Sequence, residues 1–457
     1  MNYDIISRVL EFCSHDYILL SHCALVNSQF NLAASKLLYC FVTISPKFNP
    51  QAVLNLRDPG AIPKGSNFTS AFLPRYAPFV RVLEVSGHIS PRPPPRNTLS
   101  EKIATALPTF TNLTSVIFTP VTYHEDLFAA SIPILHNLSY LTELTVNASC
   151  TDDDHAPAIV QTTRLRRLSL KSPGRTILNL LPEWLGRLSP NLIELHLQDN
   201  CGSVTPGVLK VILPHVEHSL EAFALGLSYS LMNDDVYTFL DHLPHLKRLQ
   251  LRYYWQLRPP KHQPTLSGLR SFSATYLAMH TRKEVDDFDK WVRRAISRSP
   301  ALHVLSLLCE ADEDDRVTYI SHDALADHLV KKHADTLRVL DFSNAFLGVE
   351  ALKEVLRVCT RLEVLAIQSG KESLDVLLTH VSSMKSRLRS ISLNICNAPR
   401  NYQVDQVIID DILRKGQPTL RRLAVDDTVW EATWFTSTEG QTSLIVQQAE
   451  DQTCSKM

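Results

Sequence analysis

Two acidic runs are the first residues that could do chemistry. TDDDH (Thr151–His155) and EADEDDR (Glu310–Arg316) hold enough carboxylates for a hard cation. Neither has the glycine and ligand spacing of a calcium loop, and both follow an expected strand, so they read as solvated loops. The 18 histidines are dispersed. His242 and His245 stand three apart but lack further ligands for zinc. The chain contains no GxxxxGK[ST] or GxGxxG phosphate loop, no HExxH and no Gly-x-Ser-x-Gly elbow. No catalytic, cofactor-binding or metal-ligating residue is assigned, no cofactor is expected, and the chain reads as non-catalytic.

Two other stretches suggest binding. PRPPPR (Pro91–Arg96) is a stiff polyproline-like segment, read as an exposed insertion with an SH3-like docking motif as the alternative. LRYYWQLRPP (Leu251–Pro260) brings together the residue types that anchor interfaces. Arg252 should point out of its strand. Tyr253, Tyr254 and Trp255 either anchor a partner or fill the interior of the array.

The elements that must position such residues repeat. LIELHLQDN (Leu192–Asn200) has leucine, two residues, leucine, one residue, leucine, two residues, asparagine, the strand part of a leucine-rich repeat. Related copies start at Leu113, Leu141, Leu165, Leu220, Leu246, Leu269, Leu302, Leu337, Leu362, Leu388 and Leu420, with VRVLEV from Val80 as the first. Starts are separated by 23 to 35 residues. A single unit cannot bury its own leucines, so neighbours stack and share a core. Helical returns are expected in Ser321–Thr336, where Leu325, Leu329 and Val330 share a face, and in Gly348–Thr360, where Leu352, Val355, Leu356 and Cys359 do. The expected fold is an α/β leucine-rich-repeat solenoid with a parallel sheet and helices on the convex side. The asparagine is well kept only in the Leu192 copy, so the ladder it builds is incomplete. Residues between and after the inward leucines line the concave sheet. His196, Gln198, Gln250, Arg252, Tyr253, Asp341, Ser343, Ser392 and Asn394 are the substrate-binding candidates.

The chain has 457 residues, a formal net charge of −1 and 44% apolar residues. This is a folded composition without the basic excess of a broad nucleic-acid surface, and neither nucleic acid nor membrane is expected as a partner. Nine scattered cysteines without a secretory pattern read as reduced thiols, and localisation is expected to be cytoplasmic or nuclear.

The first 45 residues do not repeat. Ile6, Val9, Leu10 and Cys13 share a helical face, Asp16 is a candidate N-cap, and a third helix should run from Asn31 through Leu38. Here YDIISRVLEF (Tyr3–Phe12), Asp16 and CALVNSQFNLAASKLLY (Cys23–Tyr39) resemble the F-box family. The matching residues are Asp4, Ile5, Arg8, Val9, Leu10, Asp16, Leu19, Leu20, Leu25, Val26, Phe30, Ala34 and Ser35. Met1 and Asn2 stand where many F-boxes carry Leu-Pro. The order, F-box then leucine-rich repeats, is most similar to fungal F-box proteins.

The resemblance implies a substrate-recognition subunit of a Skp–cullin–F-box ubiquitin ligase. The helical unit would dock on a Skp-type adaptor, itself held by the cullin, and the solenoid would hold an unknown protein substrate. By the residue match, Ile5, Ile6, Val9, Leu10, Leu20, Leu25, Val26 and Phe30 are the adaptor-binding candidates, some of which must form internal core. The alternative is a ligase-independent scaffold in which the helical unit caps the array. A third reading places a catalytic pocket in an insertion at residues 276–300. The expected organisation is a helical unit at 1–45, a lead-in at 46–78, the solenoid at 79–435 and a loose tail at 436–457.

Overall fold

The computed structural model describes residues 2–47, 67–91, 99–254, 263–310, 319–381, 386–396, 404–416, 418–436 and 442–449. The chain divides into two compact units, Met1–Ser230 and Leu231–Met457.

The first unit opens with three short helices, each started by a polar cap. In α1 (Tyr3–Glu11) the Asn2 side chain accepts from the Asp4 N–H. In α2 (Tyr17–Cys23) Asp16 Oδ1 accepts from the Leu19 N–H at 2.8 Å. In α3 (Ser28–Leu38) Asn27 Oδ1 accepts from the N–H groups of Gln29 and Phe30, both at 3.0 Å. Such caps satisfy N–H groups that have no partner inside the helix. The helices close on a small core of Ile6, Leu10, Leu20, Ala33 and Ala34.

Seven parallel strands follow in sequence order: β1 (Phe41–Ile44), β2 (Val82–His88), β3 (Ser115–Thr122), β4 (Glu143–Val146), β5 (Arg167–Lys171), β6 (Glu194–Asn200) and β7 (Ala222–Leu227). β1 begins before the boundary expected at residue 45. Only Tyr39 and Cys40 separate it from α3, and Asn67 Nδ2 donates to the carbonyls of both Leu38 and Phe41 at 3.0 Å. Helices Arg175–Leu188 and Pro206–Val216 pack side by side behind the strands.

The second unit repeats the plan. Strands β8 (Arg248–Arg252), β9 (Ser271–Leu277), β10 (Val304–Glu310), β11 (Val339–Phe346), β12 (Val364–Gly370), β13 (Ser390–Cys396) and β14 (Arg422–Val425) are parallel and in order. Helices Arg282–Ile296, Asp323–His333, Val349–Val358, Glu372–His380 and Gln406–Lys415 pack in succession. All thirteen sequence copies form a strand, and each presents its three apolar positions inward, as with Leu340 and Phe342 after Leu337. Each fully buried side chain contributes about 1.5–3 kcal/mol. The protein is an α/β leucine-rich-repeat solenoid.

Two expectations are corrected. Residues 436–457 are not all tail: β15 (Thr428–Thr436) and β16 (Thr442–Gln448) continue the sheet antiparallel from β14. Asn200 does not enter an interior ladder. Asp199 adopts a left-handed φ of 59°, the β6–β7 register shifts there, and Asn200 turns outward while Cys201 is buried. Gly226 on β7 faces this bulge, where a Cβ would stand 2.3 Å from the Asp199 carbonyl oxygen. Only a residue without a side chain fits there.

Candidate partner-binding surfaces

The helical unit divides its apolar residues sharply. In α1, Ile6 and Leu10 face the core, and a second stripe runs beside them. That stripe leaves Ile5 and Val9 each 55% exposed and Phe12 90% exposed. The turn after α2 leaves Leu25 84% and Val26 62% exposed. Tyr17, Ile18, Leu19 and Leu32 are exposed too. Nine of the 22 large apolar side chains exposed among the described residues thus fall within residues 5–32. Large apolar patches on a folded surface mark interaction sites.

Of the eight adaptor-binding candidates, Ile5, Val9, Leu25 and Val26 are on the outside, and Phe30 is half-buried against the core. Ile6, Leu10 and Leu20 are buried and hold the three helices together, so they cannot touch a partner. Sequence reasoning did not assign Phe12, Tyr17, Ile18, Leu19 and Leu32 to this surface. For Phe12, just after α1, the signal was present: Ile5, Val9 and Phe12 recur at i, i+4 and i+7, a second apolar stripe that one small core cannot absorb.

On the strands, the open face carries charged and polar side chains among smaller apolar ones. In the first unit, Arg167 on β5 donates through Nε and Nη2 to both carboxylate oxygens of Glu194 on β6, at 2.7 and 3.0 Å. It also reaches Glu143 on β4 at 3.4 Å. The paired Glu194 carboxylate raises the Arg167 pKa above its ordinary value. His196 and Gln198 lie on this same face, with Gln198 Oε1 accepting from the Ser169 hydroxyl at 3.1 Å.

In the second unit the strand register brings Gln250, Asp341 and Ser392 into one row with Ser273, Ser306 and Ala366. Arg252 forms an ion pair with Glu310. Asp341 Oδ1 accepts from the Ser343 hydroxyl at 2.6 Å, and Asn394 Nδ2 donates to the Ser343 carbonyl at 2.7 Å. Tyr253 is a correction. It is buried, with its ring 5.0 Å from that of Phe288 and 5.2 Å from that of Trp291. Burial, the largest cause, raises its hydroxyl to about 12. It fills the interior and is not available as an anchor. Trp255 lies outside the described residues, as do most of PRPPPR and of EADEDDR after Glu310.

The TDDDH run is more structured than a solvated loop. Asp152 Oδ1 lies 2.6 Å from His155 Nδ1, and Asp153 accepts from the Thr176 hydroxyl. Asp152, Asp153 and His155 line, with Glu125 and Asp126, a cleft of about 590 Å³. Among the described residues no three His, Cys, Asp or Glu side chains are placed to hold a metal ion. Residues 276–300 run from the end of β9 into the amphipathic helix Arg282–Ile296, which buries Asp289. Asp289 Oδ1 is 2.7 Å from His322 Nδ1, and their side chains are 0% and 4% exposed. This pair is enclosed by Phe288, Tyr276 and Phe342, so substrate has no access to it. Among the described residues no helix is long and apolar enough to cross a membrane.

No family model matches the chain, and no curated protein does. The fold is similar to that in the crystal structure of a TLR13–ssRNA13 complex, with a TM-score of 0.32 and 14% identity over 78% of this chain and 56% of that one. The chain therefore spans little more than half the length of that structure's chain. It is also similar to the crystal structure of a Rad7 and Elc1 complex in yeast, with a TM-score of 0.34 and 13% identity over 86% of this chain and 88% of that one. At these scores neither likeness says what this chain binds.

Proposed function

We propose that the protein is a substrate-recognition subunit of a Skp–cullin–F-box ubiquitin ligase, acting in the cytoplasm or nucleus. Its helical unit docks on a Skp-type adaptor, and its repeats hold a protein target. The chain supplies no chemistry of its own; ubiquitin transfer belongs to other subunits. The observation that carries this reading is the concentration of outward apolar side chains on residues 5–32, in a segment whose sequence resembles an F-box. Each side chain that a partner covers contributes about 1.5–3 kcal/mol, offset in part by lost freedom of motion.

A second reading is a ligase-independent scaffold. The nearly direct passage of α3 into β1 and the Asn67 bridge favour a helical unit that also closes the end of the array. Co-purification separates the two. Wild type, Val26→Asp and Leu25→Asp are co-expressed with a fungal Skp-type adaptor. The ligase reading expects a stable complex with wild type and none with the variants, whose circular dichroism stays native because both positions are exposed. Folded wild type that retains no adaptor leaves the scaffold.

A further inference from the structure

The second unit carries a charged row along one end of its strands. In each repeat the residue just before the strand donates its N–H to the carbonyl of its counterpart in the preceding repeat. Arg270 donates to Lys247 at 2.8 Å, His303 to Arg270 at 2.7 Å and Arg338 to His303 at 2.8 Å. Glu363 then donates to Arg338 at 2.7 Å, Arg389 to Glu363 at 2.7 Å and Arg421 to Arg389 at 2.9 Å. Five of these seven positions are Lys or Arg, one is His and one is Glu. The side chains feel one another. Glu363 lies 3.7 Å from both Arg338 and Arg389. His303 is held below its ordinary pKa by burial first, then by Arg338, Arg270 and Arg361.

The repeat itself does not require this charge. The same backbone row in the first unit runs Cys40, Arg81, Thr114, Thr142, Arg166, Ile193 and Glu221, with a net charge of +1 against +4 in the second, counting His neutral (2 − 1 against 5 − 1). Side chains at this position vary between the units, so the backbone ladder does not account for the concentration in the second.

We propose that the row binds an acidic, extended polypeptide segment, a run containing several Asp or Glu residues, laid across the strand ends of the second unit. Adjacent strands are about 4.8 Å apart, so seven rungs cover roughly 29 Å, the length of about nine extended residues. A peptide fits better than a nucleic acid for three reasons. The neighbouring row on the sheet runs Arg248, Ser271, Val304, Val339, Val364, Ser390 and Arg422, which suits a chain with mixed acidic, apolar and hydroxyl side chains. The row itself has no Phe, Tyr or Trp, and its one ring, that of His303, is too isolated to stack successive bases. Glu363 interrupts it, which penalises a uniform polyanion but sets register for a peptide whose charges leave a gap. The proposal takes the solenoid as the target-binding part of the function proposed above and does not depend on adaptor docking.

The test uses the full chain and fluorescence anisotropy with three labelled probes. These are a ten-residue Glu/Asp-rich peptide with interspersed Val and Ser, its Lys-substituted counterpart, and a ten-nucleotide single-stranded RNA. The expected result is binding of the acidic peptide alone, weakened by salt. Arg270→Glu with Arg338→Glu should weaken it at least tenfold, and Arg270→Gln with Arg338→Gln should weaken it less. Arg166→Glu, at the corresponding place in the first unit, should leave it unchanged. No binding of the acidic peptide, equal loss in Arg166→Glu, or tighter binding of the RNA overturns the proposal. Adaptor retention by the same variants shows separately whether the ligase reading stands.

Discussion

The helical unit and the repeats treat the same apolar residue types in opposite ways. Every repeat turns its three pattern positions inward, and its open sheet face mixes polar side chains such as Arg167, His196, Gln250 and Asp341 with smaller apolar ones such as Val304, Val339 and Val364. The helical unit keeps five residues for its core and shows nine large apolar side chains to the outside. Repeats stack on one another and so supply their own cover. A unit of some forty residues cannot bury all it carries, and the excess remains as a surface that a partner can cover. The contrast lies in what covers the apolar side chains: neighbouring repeats in the array, and nothing among the described residues for the outer stripe of the helical unit.

The largest expected effect tests the repeat side of that comparison. Leu340, fully buried on β11, should cost about 2–5 kcal/mol when changed to Ala, measured by urea unfolding. Leu25→Ala should stay within about 0.5 kcal/mol of wild type. Equal losses would break the comparison, because Leu25 would then be supporting the fold.

Within the helical unit, Leu20→Ala should cost about 2–4 kcal/mol and expose residues 3–38 to amide exchange, while Val9→Ala should do neither. This pair sharpens the division between core and surface inside one small element.

A pH effect belongs to the repeats. His333 is buried at the end of helix Asp323–His333, with neither ring nitrogen bonded. Burial, then His328 and Lys332, lower its pKa from 6.5 to about 4. The unfolded chain therefore takes up this proton first as pH falls. The stability contribution is complete above about pH 6.5 and is lost progressively toward pH 4, by about 2 kcal/mol after allowing for solvent screening. Unfolding midpoints at pH 7.5 and 5.0 should differ in wild type and differ less in His333→Leu. The smallest effect is a cap: Asn27→Ala should cost about 1 kcal/mol, read as earlier thermal loss of helix in residues 28–38.

The strands of the thirteen copies were legible because LxxLxL fixes both a position and a facing, and period-two burial leaves little freedom in register. β1 escaped because FVTI has no leading leucine. β15 and β16 escaped because TVWEATWFT and TSLIVQQ pair antiparallel, outside the repeat template. Asn200 misled because one left-handed residue, Asp199, reverses which side chain enters the core. At the surfaces, Ile5 and Ile6 are adjacent and chemically alike, and only the packing of α1 on α3 tells core from exterior. Tyr253 looked like an anchor by type, but the step after β8 turns it onto Phe288 and Trp291. The charged row was invisible as a motif because its members are 23 to 35 residues apart and meet only when the repeats stack.

The most direct test of the central claim is amide hydrogen exchange on the full chain, alone and with a purified Skp-type adaptor. The account predicts new protection confined to residues 3–38, strongest around Val9, Phe12, Leu25 and Val26, with the strands β2–β14 unchanged. Absence of any protection at saturating adaptor, or protection on the repeats with residues 3–38 unaffected, would contradict it.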